Sequence, residues 1–103
     1  MPKGYLIARV DIHDMEGYKR DYLAFNSATM AKYGAKFLVR GGTSEAPEGT
    51  SRSRNVILEF ADYATVQAFY HSPEYADLIA RRSKHSEADI LLIEGYDGPQ
   101  PTA

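Results

Sequence analysis

The sequence predicts an α+β fold of the order β-α-β-β-α-β, and three observations predict it. Strand-like and helix-like segments alternate in that order from Gly4 to Glu94, one parity of three strand segments is wholly apolar, and no repeat or linker divides the 103 residues. In such a split βαβ, ferredoxin-like sandwich the antiparallel sheet carries its helices on one face.

Gly4 to Ile12 alternates Leu6, Ala8, Val10 and Ile12 with Tyr5, Ile7, Arg9 and Asp11, a strand with one apolar face. Asp14 is a good N-cap, and Met15, Tyr18, Tyr22, Phe25, Thr29 and Tyr33 recur at spacings of three and four. This predicts a helix from Met15 to Lys32, stopped by Gly34 where a left-handed residue is wanted. Ala35 to Arg40 is a second strand closed by Gly41 and Gly42, and the polar stretch from Thr43 to Ser53 is a long hairpin loop. Arg54 to Phe60 is the third strand, and Asp62 caps a short helix with Val66, Phe69 and Tyr70 inward. Ser72-Pro73 then starts a helix with Tyr75, Leu78 and Ile79 on its apolar face, fraying near His85. Ala88 to Glu94 is the fourth strand, apolar on both parities at Ile90, Leu91, Leu92 and Ile93, the pattern of a strand covered on both sides. A single domain over 1–103 follows, with an ordered core of about 4–96 and a Gly/Pro-rich tail from Gly95.

The helix-covered face is expected to hold Leu6, Ala8, Val10, Phe37, Val39, Val56, Leu58 and Phe60. The opposite parity mixes Tyr5, Ile7, Arg9, Asp11, Lys36, Leu38, Arg40, Asn55, Ile57 and Glu59, which suits neither a plain core nor a plain solvent face. Apolar patches of this kind mark interfaces or grooves, so a homodimer through that sheet face is expected, with a pocket between subunits. A short chain has an adequate rather than generous core, which a partner copy would extend.

Twelve basic against fourteen acidic side chains give a net charge of -2, which offers no broad footprint for nucleic acid or anionic lipid. With no cysteine, disulfides, thiolate catalysis and Cys-held zinc or iron-sulfur clusters are excluded. Met1-Pro2-Lys3-Gly4 leads straight into a strand, and nowhere do eighteen apolar residues follow one another, so the expectation is a soluble cytoplasmic protein. The three histidines lack HxH or HxxxH spacing, and no phosphate-loop or nucleophile-elbow motif occurs, so neither metal nor cofactor is expected.

Arg40 stands out because it ends a strand before Gly41-Gly42, where backbone lets a ligand come close and a guanidinium can grip a carboxylate. Its commoner alternative is a cross-strand partner for Asn55 or an acid. Arg9 and Glu59 share a parity on neighbouring strands: either they pair, or Glu59 is a general base in a partly dry cavity. His71, before the Ser72-Pro73 start, is placed to exchange protons over the sheet edge or simply to pack at the surface. Tyr18, Tyr22 and Phe25 sit at core spacing, with Tyr hydroxyls seeking partners at a cavity edge. The candidate site thus comprises His71 and Glu59 as proton carriers, with Arg40, Tyr5, Arg9, Tyr22 and Asn55 around the ligand, a small anionic or carbonyl-bearing molecule. Two functions stay open: a cofactor-independent enzyme of small organic acid or carbonyl metabolism, and a non-catalytic ligand-binding or structural module.

The segments Gly4-Tyr5 with Ala8-Arg9-Val10, Lys32-Tyr33-Gly34, Phe37 to Gly42 (with VRGG), His71-Ser72-Pro73-Glu74-Tyr75 (HSPEY) and Glu94-Gly95-Tyr96 together resemble a bacterial family, domain of unknown function 1330. The resemblance spans Gly4 to Gly98. It implies a dimeric α/β barrel, in which two ferredoxin-like subunits pack sheet against sheet. It also implies kinship with cofactor-free monooxygenases, muconolactone isomerase-like enzymes, haem-degrading enzymes and members without known activity. Arg40 and His71 match the family's strings without an assigned role, and nothing singles out His71 or His13 as a haem ligand.

Overall fold

The computed structural model describes residues 2–102. Strands β1 (Gly4–Ile12), β2 (Lys36–Arg40), β3 (Arg54–Phe60) and β4 (Ser86–Glu94) form one antiparallel sheet in the order β2-β3-β1-β4. Helices α1 (Met15–Tyr18), α2 (Ala24–Lys32), α3 (Tyr63–Tyr70) and α4 (Pro73–Ser83) cover one face. The predicted ferredoxin-like α+β sandwich is therefore the fold. Its shortest dimension is 16 Å, the thickness of one sheet with one helical layer, which leaves the second sheet face uncovered. Among the described residues no helix is long and apolar enough to cross a membrane.

Local signals act where the sequence places them. The Asp14 carboxylate accepts the Gly17 N–H, Asp62 accepts that of Thr65, and Ser72 accepts that of Tyr75 ahead of Pro73. Gly34 takes the left-handed conformation, φ +72°, that ends α2. The core gathers Leu6, Val10, Leu58 and Phe60 of the sheet under Val66, Phe69, Tyr75 and Leu78 of the helices.

Three expectations need correction. The long helix is not uniform: Lys19–Leu23 is a π-helical turn, in which the Ala24 N–H reaches back to the Lys19 carbonyl. That extra residue shifts the stripe that follows it, so Asn26 and Met30 join Thr29 inside while Phe25 is exposed; Met15, ahead of the turn, is exposed as well. In β2 the register jumps between Phe37, opposite Leu58, and Val39, opposite Ile57, so Leu38 is a β-bulge. Paired residues share a face. Phe37 therefore stays on the helix side, Val39 turns to the open face, and Arg40, opposite Val56, returns to the helix side. Finally, β4 is an edge strand covered on one side only: Ala88, Ile90 and Leu92 are half-buried, whereas Leu91 and Ile93 are exposed.

The bulge has an effect on the open face. Val39, Ile57, Ile7 and Leu91 now stand side by side in register, an apolar row crossing all four strands. Polar neighbours Arg9, Asn55 and Asp89 line one flank of it, and Tyr5 and Glu59 the other, where Ile93 extends the apolar surface.

Candidate functional site: a cationic cavity under the helices

Between the sheet and the first helical segment lies a cavity of about 30 Å³. Its floor is Leu6, Ala8, Val10, Val56 and Leu58, and its rim includes the exposed ring of Phe37. The polar part of the lining comes from three places. The π turn and its flanks bring in Tyr18, Tyr22 and Asn26, α4 contributes Tyr75 and Arg82, and the first residue of β3 contributes Arg54.

These groups form one donor-rich cluster. The Tyr22 and Tyr75 hydroxyls meet at 2.6 Å, and Arg82 donates to the Tyr75 oxygen at 3.4 Å while its guanidinium lies 5.7 Å from the Tyr22 ring centroid. One hydroxyl of the tyrosine pair donates to the other, so the acceptor retains its own proton, which makes no hydrogen bond within the protein among the described residues. Burial pushes the Tyr18 phenol up to about 12 and raises that of Tyr75 further, with Tyr22 adding to both shifts. Both therefore remain protonated donors near neutral pH. The guanidiniums of Arg54 and Arg82 both act on Tyr18 in the opposite sense, which places two cations around one hydroxyl.

Charge balance distinguishes this cavity. Arg82 is only 5% exposed, and no carboxylate lies within ion-pair distance of it or of Arg54 among the described residues. None of the lining residues is Asp, Glu or His. Buried charges are ordinarily paired, so two guanidiniums, one deeply buried, lacking an anion are an exception that calls for a reason. A second, open groove of about 370 Å³ on the other sheet face is compensated by contrast. There Arg52 meets Asp89 at 2.8 Å, Asp11 at 2.9 Å and Glu87 at 3.6 Å, beside Arg9, Thr50 and Ser51. The backbone N–H of Ser53, with Arg52, holds the Asp11 carboxyl below its ordinary range.

Of the seven candidate site residues, Tyr22 alone lines the helix-side cavity, joined there by Tyr18, whose hydroxyl the sequence places at a cavity edge. Arg40 lies outside it, exposed and stacked 4.4 Å from the centroid of the Phe37 ring, because the bulge turns it off the open face. The Arg9–Glu59 pair does not form, since the register sets Arg9 opposite Asn55 and Glu59 opposite Tyr5. Arg9 instead donates to the Thr50 carbonyl at 3.1 Å, while Glu59 accepts from the Tyr5 hydroxyl at 3.3 Å and has Lys3 Nζ at 3.9 Å. Asn55 donates to the Arg52 carbonyl. His71 is the exposed C-cap of α3, edge-on to Tyr70 at 5.4 Å, and lines neither cavity. Tyr5, Arg9, Asn55 and Glu59 thus share the open face, and His71 and Arg40 join neither them nor each other. Among the described residues no group of three His, Cys, Asp or Glu is placed to hold a metal ion.

Sequence reasoning missed Arg82, Arg54, Asn26 and the partnership of Tyr22 with Tyr75. A signal for Arg82 existed: it continues the Tyr75, Leu78 stripe of α4 at spacings of three and four, a cation on an apolar face.

The model of the family called domain of unknown function (DUF1330) matches residues 3–96. None of the curated proteins compared matches the chain. Among solved structures, a protein of unknown function from Rhodopseudomonas palustris is similar with a TM-score of 0.71 and 12% identity, over 94% of this chain and 85% of that one. SnoaB, a cofactor-independent oxygenase from Streptomyces nogalater, is similar with a TM-score of 0.62 and 12% identity, over 98% and 97%. A conserved Bacteroides thetaiotaomicron protein described as a possible oxidoreductase gives 0.55 and 11%, over 90% and 97%. At these identities the likeness is one of fold.

Proposed function

The chain belongs to the DUF1330 family, and for this member we propose a pocket for a small organic molecule bearing an oxyanion, a carboxylate, enolate or phenolate, held by Arg82 and Arg54. The single observation that carries this is the cavity with two guanidiniums, protonated phenols and no carboxylate. Arg82 and the second hydroxyl proton of the Tyr22–Tyr75 pair are donors on the cavity lining, and that proton makes no hydrogen bond within the protein among the described residues. Such an array stabilises negative charge on oxygen, and preorganised donors in a dry site act most strongly on charge that develops during reaction. With no His, Asp or Glu in the lining, charge stabilisation rather than proton abstraction is the chemistry supported. A cofactor-independent enzyme of small organic acid or carbonyl metabolism is the corresponding activity. SnoaB, described as a cofactor-independent oxygenase, has a similar fold, which is compatible with turnover on this scaffold. A volume of about 30 Å³ holds a water or two, so a larger ligand requires the lining, which includes the exposed Phe37, to give way.

That same volume, with Tyr22, Tyr75 and Arg82 already satisfying one another in part, favours a second reading, a structural module without turnover. In either case we propose a homodimer through the open face, where the Val39–Ile57–Ile7–Leu91 row gives a self-complementary apolar strip flanked by both signs of charge.

The test is calorimetric titration with acetate, pyruvate and benzoate, alongside native mass spectrometry of the freshly purified protein. Saturable binding of at least one carboxylate, lost in Arg82→Met, is the expected result. If none binds and no small molecule travels with the protein, the pocket reading fails and the structural module stands.

A further inference from the structure

Of the VRGG string, Arg40 stands on the rim and outside the cavity, and Gly41 has a different relation to the site. Its φ is +65°, its N–H donates to the Asn55 carbonyl at 2.9 Å, and a Cβ built on it would lie 2.8 Å from Arg54 Nη1 and 3.5 Å from Cζ. The other left-handed glycines, Gly34 at +72° and Gly49 at +73°, have nothing within 4 Å of the same position. Backbone conformation therefore accounts for glycine at all three places, and close approach of a side chain at Gly41 alone.

We propose that Gly41 is a positioning residue for Arg54: the missing side chain leaves the space through which the guanidinium crosses the end of β2 and reaches the cavity beside Tyr18. The geometry stands by itself, while its purpose rests on the anion-pocket reading above. Arg54 begins β3 opposite Val10, on the helix side, and is half-buried. Its neighbour at Gly41 is the far end of a long, flexible chain, so a Cβ there displaces the guanidinium and leaves the strand pairing intact.

Gly41→Asn tests this, with Gly34→Asn as matched control, since Asn is the side chain most at ease in the left-handed region. Two quantities are read: nuclear Overhauser contacts between the Arg54 side chain and the Tyr18 ring, and benzoate affinity. Gly41→Asn is expected to lose the contacts and to weaken benzoate roughly tenfold, as Arg54→Met does, the scale of one lost charge-assisted hydrogen bond. Gly34→Asn is expected to change neither. Persistence of the Arg54–Tyr18 contacts in Gly41→Asn overturns the proposal, and Gly41→Ala gives the same reading should the Asn variant not fold. Loss of the contacts with no benzoate binding even in the wild type supports the positioning role and overturns the anion-pocket reading instead.

Discussion

Replacing Arg82 with Met should strengthen the fold while abolishing the function. Arg82 is 5% exposed and has no ion-pair partner among the described residues. An uncompensated buried charge costs several kcal/mol, and exchange of buried ionic groups for apolar side chains of similar volume is often neutral or stabilising by about 1–4 kcal/mol. Two contacts offset that gain: the guanidinium over the Tyr22 ring at 5.7 Å, worth about 0.5–2 kcal/mol, and a long 3.4 Å hydrogen bond to Tyr75. The Tyr22–Tyr75 hydrogen bond survives the exchange. The net expectation lies between no change and a gain of about 3 kcal/mol, a rise in melting temperature of up to roughly 15 °C for a domain of this size. Thermal melts followed by circular dichroism give the stability, and carboxylate titration the function. A loss of about 2 kcal/mol or more would refute the reasoning, because Arg82 would then be a structural keystone whose charge is satisfied within the fold.

Three further outcomes are expected. Ile57→Asp, in the middle of the open-face row, should fold yet sediment as a monomer, whereas Leu58→Asp, 2% exposed on the other face, should unfold the chain; two folded monomers or two folded dimers would contradict the assignment of faces. In an alkaline titration of the phenolate band, Tyr18 and Tyr75 should ionise last, Tyr18 near 12. Because both values are raised above the unfolded value of about 10, the stability they confer is intact below that pH and is lost as pH climbs through the folded values, which urea melts at increasing pH will register. Ser72→Ala, which removes the acceptor for the Tyr75 N–H and the donor to the Phe69 carbonyl, should cost about 1–2 kcal/mol by chemical denaturation, with no cost at all arguing that Pro73 alone sets the helix start.

The fold was legible because its determinants are local and periodic. Alternation in β1 and β3, the caps Asp14, Asp62 and Ser72, and Gly34 each specify a segment without reference to the rest of the chain. The site was far less legible because it depends on two one-residue irregularities. The bulge at Leu38 moved Arg40 to the helix side, and the π turn brought Asn26 rather than Phe25 inward. Neither breaks the strand or helix pattern on its own, so counting by twos, or by threes and fours, carries straight past them. Pair register was the other loss: Arg9 and Glu59 share a face, but only the hydrogen-bonded alignment shows that Asn55 and Tyr5 stand opposite them.

The π turn also bears on how such a pocket withstands changes in chain length. Tyr18, Tyr22, Asn26 and Met30 line the cavity at an unbroken interval of four, and the surplus residue within Lys19–Leu23 keeps that series on one side. Deleting one residue there would heal the helix into a continuous α form and leave everything after it facing as it does now, because the step from Tyr18 to the present Asn26 would then be about two α turns. Winding the turn as α with every residue kept would instead carry Asn26 and Met30 about 100° away from Tyr18, so the wide turn itself holds that wall of the cavity together. A π turn is thus a buffer for chain length: one residue can be gained or lost there while the residues that face the cavity stay on its side.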